Sequence, residues 1–342
     1  MTEYSTFRLG AVQAAPVPFD PDESTDKACR LIKTAAEKGV SLAAFGETWI
    51  SGYPFFLGGP INDLFWEASA EYIASAIAVP GPQTDRLCAA AREADIDVAI
   101  GVVERDPNTQ GTVYCTMLLI GREGGILGRH RKLKPTHNER QIWGEGDALG
   151  LRVHERAYGR ISALNCFEHK MVLPGYALMA QGTQIHVAAW PGREPKKPTG
   201  YLWPKQTLLS RAFAAQGACY VICAAGLRLQ EHVPQRYASL ATFEHTGQSC
   251  IIDPRGEIIA GPAEGETILV ADGTLEAVYA AKAVCDVAGH YSRPDIFHLY
   301  VDDEPIERVA FSGQTTVETS VQLEDSEKQQ ESAAAGRDNT ET

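Results

Sequence analysis

Glu47, Lys132 and Cys166 lie far apart in the chain, yet together they could carry out nucleophilic hydrolysis. A cysteine supplies sulfur as nucleophile, an acid moves its proton, and a lysine stabilises the negative charge that forms on the attacked group. Taken singly, each residue has a plain structural reading. A strand-end cysteine is usually core, a loop glutamate is usually solvated, and "HRKLK" could be an exposed basic run. The neighbouring residues argue otherwise. Glu47 sits in "FGETWISGYPFF", an acid set against aromatics, where burial raises its proton affinity and suits it to proton transfer. Lys132 sits in "HRKLKPTHNERQIWGEGD", and a lysine near a cysteine favours the thiolate. Cys166, in "SALNCFEHKMVLPG", precedes a predicted helix whose N-terminus also favours an anion.

The elements that must position these groups follow from hydrophobic periodicity. "FRLGAVQA" reads as a first strand, "DESTDKACRLIKTAAEKG" as a helix and "VSLAAFGE" as a short buried strand ending at Glu47. "PQTDRLCAAAREADI" and "DVAIGVVE" repeat the helix–strand step. "TVYCTMLLIGREGGILGRHRK" is a hairpin leading to Lys132, and "RISALNC" is a strand leading to Cys166. Two further pairs follow: "LPGYALMAQG" with "TQIHVAAW", then "WPKQTLLSRAFAAQG" with "ACYVICAAG". "QSCIIDPRGEIIAGP" is a hairpin, and "TILVAD" is a last strand. The pattern predicts an α/β protein in which two sheets pack face to face with helices outside. Glu47, Lys132 and Cys166 all fall at strand ends, where sites assemble in such folds.

Composition excludes several functions. The 342 residues carry a formal charge of −13, which disfavours nucleic acid or an anionic membrane as partner. A neutral or cationic small molecule is easier to accommodate than a polyanion. No basic flank precedes an apolar run at the start, and no stretch approaches the roughly 18 apolar residues of a membrane span, so a cytoplasmic protein is expected. Eight scattered cysteines suit reduced thiols. From about Asp302 the residues turn to Glu, Gln, Ser and Thr. The expected division is a domain over 1–301 and a disordered polar tail over 302–342.

"GETWISGYPFF", "HRKLKPTHNERQIWGEGD", "ALNCFEHKMVLPGYALMAQG" and the later "GHYSRPDIF" resemble motifs of the nitrilase branch of the nitrilase superfamily of carbon–nitrogen hydrolases. The resemblance runs from about Phe7 to about Tyr300. It implies a four-layer α-β-β-α sandwich and a catalytic triad of Glu47 as general base, Lys132 as stabiliser of the intermediate and Cys166 as nucleophile. It also implies Glu139, in "HNER", as an auxiliary acid, the Phe167 N–H as a second stabilising donor, and a dimer building block that can extend into spirals. Neither metal nor cofactor is expected. The implied reaction takes an organic nitrile to a carboxylic acid and ammonia. A cyanide dihydratase and an amidase or carbamoylase are the nearest alternatives, and a catalytically dead scaffold is a further one. Phe167 stands where Trp is frequent, Ala148 where Gly is frequent, and "KMVLPG" is unusual, so substrate class is the open point. Pocket positions are expected at Tyr53, Phe55, Trp143, Phe167 and Trp190.

Other reactive residues read as structural. His169, three residues from Cys166, is too local for a Cys–His protease dyad and is expected to be structural. Cys219 and Cys223 lack a second pair at zinc spacing and read as core positions. His130, His137, His232, His245 and His290 show no metal spacing either.

Overall fold

The computed structural model describes residues 4–194, 205–305 and 309. The expected disordered tail therefore lies, beyond its first few residues and 309, outside the described residues. The described residues up to Glu304 belong to one compact unit.

Fourteen strands form two six-stranded sheets and one short ribbon among the described residues. The first sheet uses β1 (Thr6–Gln13), β2 (Leu42–Phe45), β3 (Asp97–Arg105), β4 (Val113–Ile120) and β5 (Ile126–Arg131). The second uses β6 (His154–Arg156), β7 (Gly159–Asn165), β8 (Ile185–Trp190) and β9 (Tyr220–Ala225). The ribbon pairs β10 (Leu227–Arg228) with β11 (His245–Thr246). β12 (Cys250–Ile252) and β13 (Ile258–Ala260) complete the second sheet, and β14 (Thr267–Thr274) returns to the edge of the first. The orders are β14-β1-β2-β3-β4-β5 and β13-β12-β9-β8-β7-β6. In each sheet three neighbouring strands run parallel, β1-β2-β3 and β7-β8-β9, with antiparallel strands flanking them.

The helices are α1 (Pro21–Glu37), α2 (Asp63–Ala74), α3 (Pro82–Ala94), α4 (Val172–Ala180), α5 (Lys205–Gly217) and α6 (Leu275–Val284). Three apolar cores show the layering. Leu9, Ala44 and Ala99 of the first sheet meet Ile161, Val187 and Ile222 of the second in the middle. Ile32 of α1 and Leu87 of α3 cover the outer face of the first sheet, while Leu178 of α4 and Phe213 of α5 cover the second. Parallel strands buried on both faces need near-continuous apolar residues, which "LAAF", "IHVAAW" and "YVICAA" supply. The result is the expected α-β-β-α sandwich.

Local signals explain the helix starts. The Asp20 side chain caps α1 by accepting from the Glu23 amide at 2.9 Å, with Pro21 at the first position. Two helices were not legible in advance. Asn62 caps α2, which lies in the aromatic segment after Glu47 and buries Phe65, Ala68 and Tyr72. Thr274 caps α6, which runs straight on from β14. One expectation needs correcting. Cys166 does not stand at the mouth of an α-helix: a 3₁₀ turn spans Cys166–Lys170, and α4 begins only at Val172. Cys219 and Cys223 lie in the outer core with Cys250, as core residues, and all eight cysteines are free thiols. No helix among the described residues is long and apolar enough to cross a membrane.

Candidate active site

The strand ends converge as the sequence spacing requires. Glu47 lies two residues past β2, Lys132 directly follows β5, and Cys166 directly follows β7. Lys132 Nζ donates to Glu47 Oε1 at 2.8 Å and to Glu139 Oε2 at 2.6 Å. One ligand atom each of Glu47, Glu139 and Cys166 falls within a 4.8 Å circle of the others. That donor set could hold a metal, but the Lys132 ammonium already stands as the cation shared by the two carboxylates.

The backbone is bent to reach this arrangement. Cys166 has φ +48° and Thr48, next to Glu47, has φ +47°. Non-glycine residues in this left-handed region cost on the order of 1–3 kcal/mol and persist only where the surroundings fix them. Here the surroundings are visible. The Glu47 amide donates to the Trp190 carbonyl at 3.2 Å, and the Gly226 amide donates to the same oxygen at 2.9 Å. This joins the end of β2 to β8 and β9 across the sandwich. A Cβ at Gly46 would stand 2.7 Å from the Gly226 nitrogen, so only glycine lets the sheets approach so closely.

Glu168 holds the other two members together. Its carboxylate accepts from the Leu133 amide at 2.9 Å and the Asn165 amide at 2.8 Å, and His130 Nε2 lies 3.0 Å from both oxygens. One buried side chain thus ties the residue after Lys132 to the residue before Cys166. Burial alone would raise its pKa, yet His130 and the two amides hold it below the usual carboxylate range. The sequence reading missed Glu168. Its signal was the capping-box spacing from Asn165 to Glu168 around the cysteine.

Burial dominates the protonation states. It pushes the Glu47 carboxyl up to about 7, against the lowering pull of Lys132. Burial lowers and the two glutamates raise Lys132, which ends well above its ordinary value and stays an ammonium. Cys166 is also raised well above the ordinary thiol range, first by burial and then by Glu47, although Lys132 and the Phe167 amide pull it down. The pull of Lys132 toward the thiolate is therefore outweighed, which leaves a neutral thiol beside the expected general base. Glu47 Oε1 is engaged by Lys132 and, at 3.4 Å, by the Cys115 thiol, while Oε2 has no hydrogen-bond partner.

The expected pocket residues divide. Tyr53 lines the cleft that reaches Glu47 and donates its hydroxyl to Glu139 Oε1 at 2.9 Å. Phe167 is half-buried beside Trp190, with ring centroids 6.1 Å apart. Trp143 packs under the Lys132 ammonium, 5.3 Å from ring centroid to Nζ, and donates to the Tyr72 hydroxyl at 3.1 Å. Trp190 donates to Ser210 at 3.1 Å and stacks on His169. Phe55 is wholly buried in an aromatic cluster. Phe55, Trp143 and Trp190 are thus core residues backing the site rather than lining this cleft.

A buried acid–lysine–cysteine cluster on the strand ends of a four-layer sandwich defines a class, and comparison with known proteins agrees. The chain belongs to the carbon-nitrogen hydrolase family, whose model matches residues 8–283. It is 53% identical over 313 residues to "Nitrilase 2" from an unknown prokaryotic organism, covering 91% of this chain and 97% of the relative. An "Aliphatic nitrilase" of Rhodococcus rhodochrous is 36% identical, covering 87% of this chain and 84% of the relative. Among solved structures, the C. elegans NitFhit protein superposes with TM-score 0.70 at 20% identity, covering 90% of this chain and 70% of that one. Saccharomyces cerevisiae Nit3 gives TM-score 0.66 at 19% identity, covering 84% and 97%.

Proposed function

We propose that this enzyme is a nitrilase, hydrolysing an organic nitrile to the carboxylic acid and ammonia with Cys166 as nucleophile. The observation that carries the mechanism is the free Glu47 Oε2 beside the neutral Cys166 thiol. The first step uses no free thiolate. As sulfur bonds to the nitrile carbon, Glu47 takes the thiol proton and passes it to nitrogen, giving a thioimidate. Water then adds, and the tetrahedral intermediate expels ammonia to leave a thioester. A second water, deprotonated by Glu47, releases the acid. Lys132 and the Phe167 N–H stabilise the developing negative charge. Glu139, held by Tyr53 and by the Thr136 amide at 2.6 Å, positions Lys132. The balance is one nitrile and two waters to one acid and one ammonia, with no metal or cofactor.

The nitrilase names of the relatives support this reading, and the likeness covers nearly all of the chain up to the tail. The catalytic domain is assigned to 1–301, and the tail over 302–342 is assigned no part in the chemistry. Cytoplasmic placement belongs to the same reading. Homo-oligomerisation is assigned to the outer face of α4, where Val172 and Leu173 are exposed. The test is ammonia release and product analysis on a panel of nitriles, hydrogen cyanide and matching amides. Acid as the main product with amide at most minor supports nitrilase. Rapid amide hydrolysis with no nitrile conversion moves the protein to the amidase branch, and turnover of hydrogen cyanide alone moves it to cyanide dihydratase.

A further inference from the structure

Arg228 ends the short strand β10 and is 3% exposed. Its Nη2 donates to the Phe243 carbonyl at 2.5 Å, and the guanidinium lies 5.4 Å from the Phe243 ring centroid. Its Nε and Nη1 are buried with no hydrogen-bond partner among the described residues. Burial works against its charge, while Tyr53, Glu244 and Glu194 favour it. A buried, half-satisfied guanidinium is costly, because arginine stays charged and cannot shed its proton to escape the penalty.

Its position gives that cost a use. Arg228 lines the narrow cleft that also exposes Glu47, Tyr53, Trp49, Pro191 and Leu227. The cavity of this cleft is about 10 Å³, room for one water, so a substrate has to widen the cleft to reach Arg228. One wall therefore carries the acid that moves protons, and another carries a guanidinium with two donors unbonded among the described residues.

We propose that Arg228 is a specificity-determining residue that binds a carboxylate carried by the nitrile substrate, so that the preferred substrates are short cyano acids. This deepens the nitrilase reading and rests on it. Nε and Nη1 face different edges of the guanidinium, so a carboxylate bonds one of them, and its charge strengthens that bond as a neutral acceptor cannot. The overall charge of −13 disfavours anions at large, so an anionic group needs a local cation such as Arg228 to hold it. The nitrile end then points toward the proton-transferring wall.

The experiment compares 3-cyanopropanoate with 4-methylpentanenitrile, which has the same branching and number of heavy atoms but no charge. The ratio of their kcat/KM values is measured in the full-length protein, in Arg228→Met and in Arg228→Lys. The ratio is expected to favour the cyano acid in the native enzyme. In Arg228→Met it should fall about 10- to 100-fold, the size of a hydrogen-bonded charge contact, mainly through KM. Arg228→Lys should retain part of it, and it serves where the methionine variant does not fold. Thermal shift with butanedioate, the product of the cyano acid, is the second readout. It should stabilise the native protein and not Arg228→Met. An unchanged ratio in a folded Arg228→Met protein overturns the proposal, as does equal stabilisation of both proteins by butanedioate. Hydrolysis of amides with no conversion of any nitrile in the panel overturns the nitrilase reading instead, and the thermal shift still decides whether Arg228 binds a carboxylate.

Discussion

His169 Nδ1 lies 2.7 Å from the carbonyl oxygen of Cys166, and this contact fixes the direction of a buried hydrogen-bond chain. A carbonyl only accepts, so Nδ1 carries the proton and Nε2 is the acceptor of a neutral ring. His186 Nε2, 2.9 Å away, must then donate to it, and His186 Nδ1 accepts from Ser162 Oγ at 2.8 Å. Thr183 Oγ1 gives its one proton to the Leu178 carbonyl at 2.9 Å, so the chain starts at Ser162. Every link points toward the strained nucleophile, so the chain helps hold the left-handed Cys166 backbone.

His169→Ala removes the last donor while leaving the Glu47–Lys132–Glu139 cluster untouched. The expected result is a kcat lower by on the order of 10²-fold, the penalty for a misplaced reacting group. Melting temperature and circular dichroism check that the fold survives. His169→Asn, which can still donate to the carbonyl, should recover part of the loss.

The same histidines set an acid limit. Burial lowers His169 to about 4 and His186 well below its ordinary value. Their unfolded forms therefore bind protons that the folded protein refuses. The stability they allow is fully present above about pH 6.5 and is lost as pH falls toward 4. Urea unfolding from pH 8 to 4 should show this loss, and replacing both histidines with Gln should flatten it.

Glu47 titrating at about 7 predicts the pH–rate profile. The general base must start deprotonated, so kcat/KM for a neutral nitrile should rise up to tenfold per pH unit below about 7 and level off above it. Steady-state rates in a constant-ionic-strength buffer series check this. Glu47→Gln should remove the profile together with the activity. A flat profile between pH 5 and 8 would count against Glu47 as the base.

Cys166→Ala is expected to lower turnover by about 10⁴-fold or more with the fold retained. Cys166 is buried, whereas Cys29, Cys88 and Cys285 are partly exposed. A bulky alkylating agent should thus modify the exposed three first. Mass spectrometry after incubation with substrate and rapid acid quench is the better readout, since the thioester or thioimidate should appear on the peptide containing Cys166.

Glu168→Gln tests the tie between two strands. The amide loses the charged acceptor shared by His130, Leu133 and Asn165 and should destabilise the protein by about 2–3 kcal/mol. Because the folded pKa of Glu168 is depressed, its stabilisation is present above the unfolded value near 4.5 and disappears as pH falls through the folded one. Denaturant melts of both proteins at pH 7 measure the difference.

The chain by itself determined the elements with strong periodicity and the three residues of the cluster. Buried parallel strands need continuous apolar runs and their helices need one apolar face, and both patterns survive without partners. Strand-end placement then marked Glu47, Lys132 and Cys166. Tertiary structure decided the rest. α2 and α6 stayed hidden because aromatics and an unbroken strand–helix join mask the helical period, and only packing against the sheets selects the helix. The protonation states needed the fold too: a lysine in sequence proximity favours a thiolate, but complete burial and a nearby glutamate outweigh it at Cys166. Trp143 and Trp190 look like pocket walls by type, yet their N–H groups find partners in the core. Arg228 gave no signal in sequence, since an arginine on a two-residue strand is ordinarily solvated. It becomes informative only when the sandwich closes over it and leaves two of its donors buried without an acceptor among the described residues.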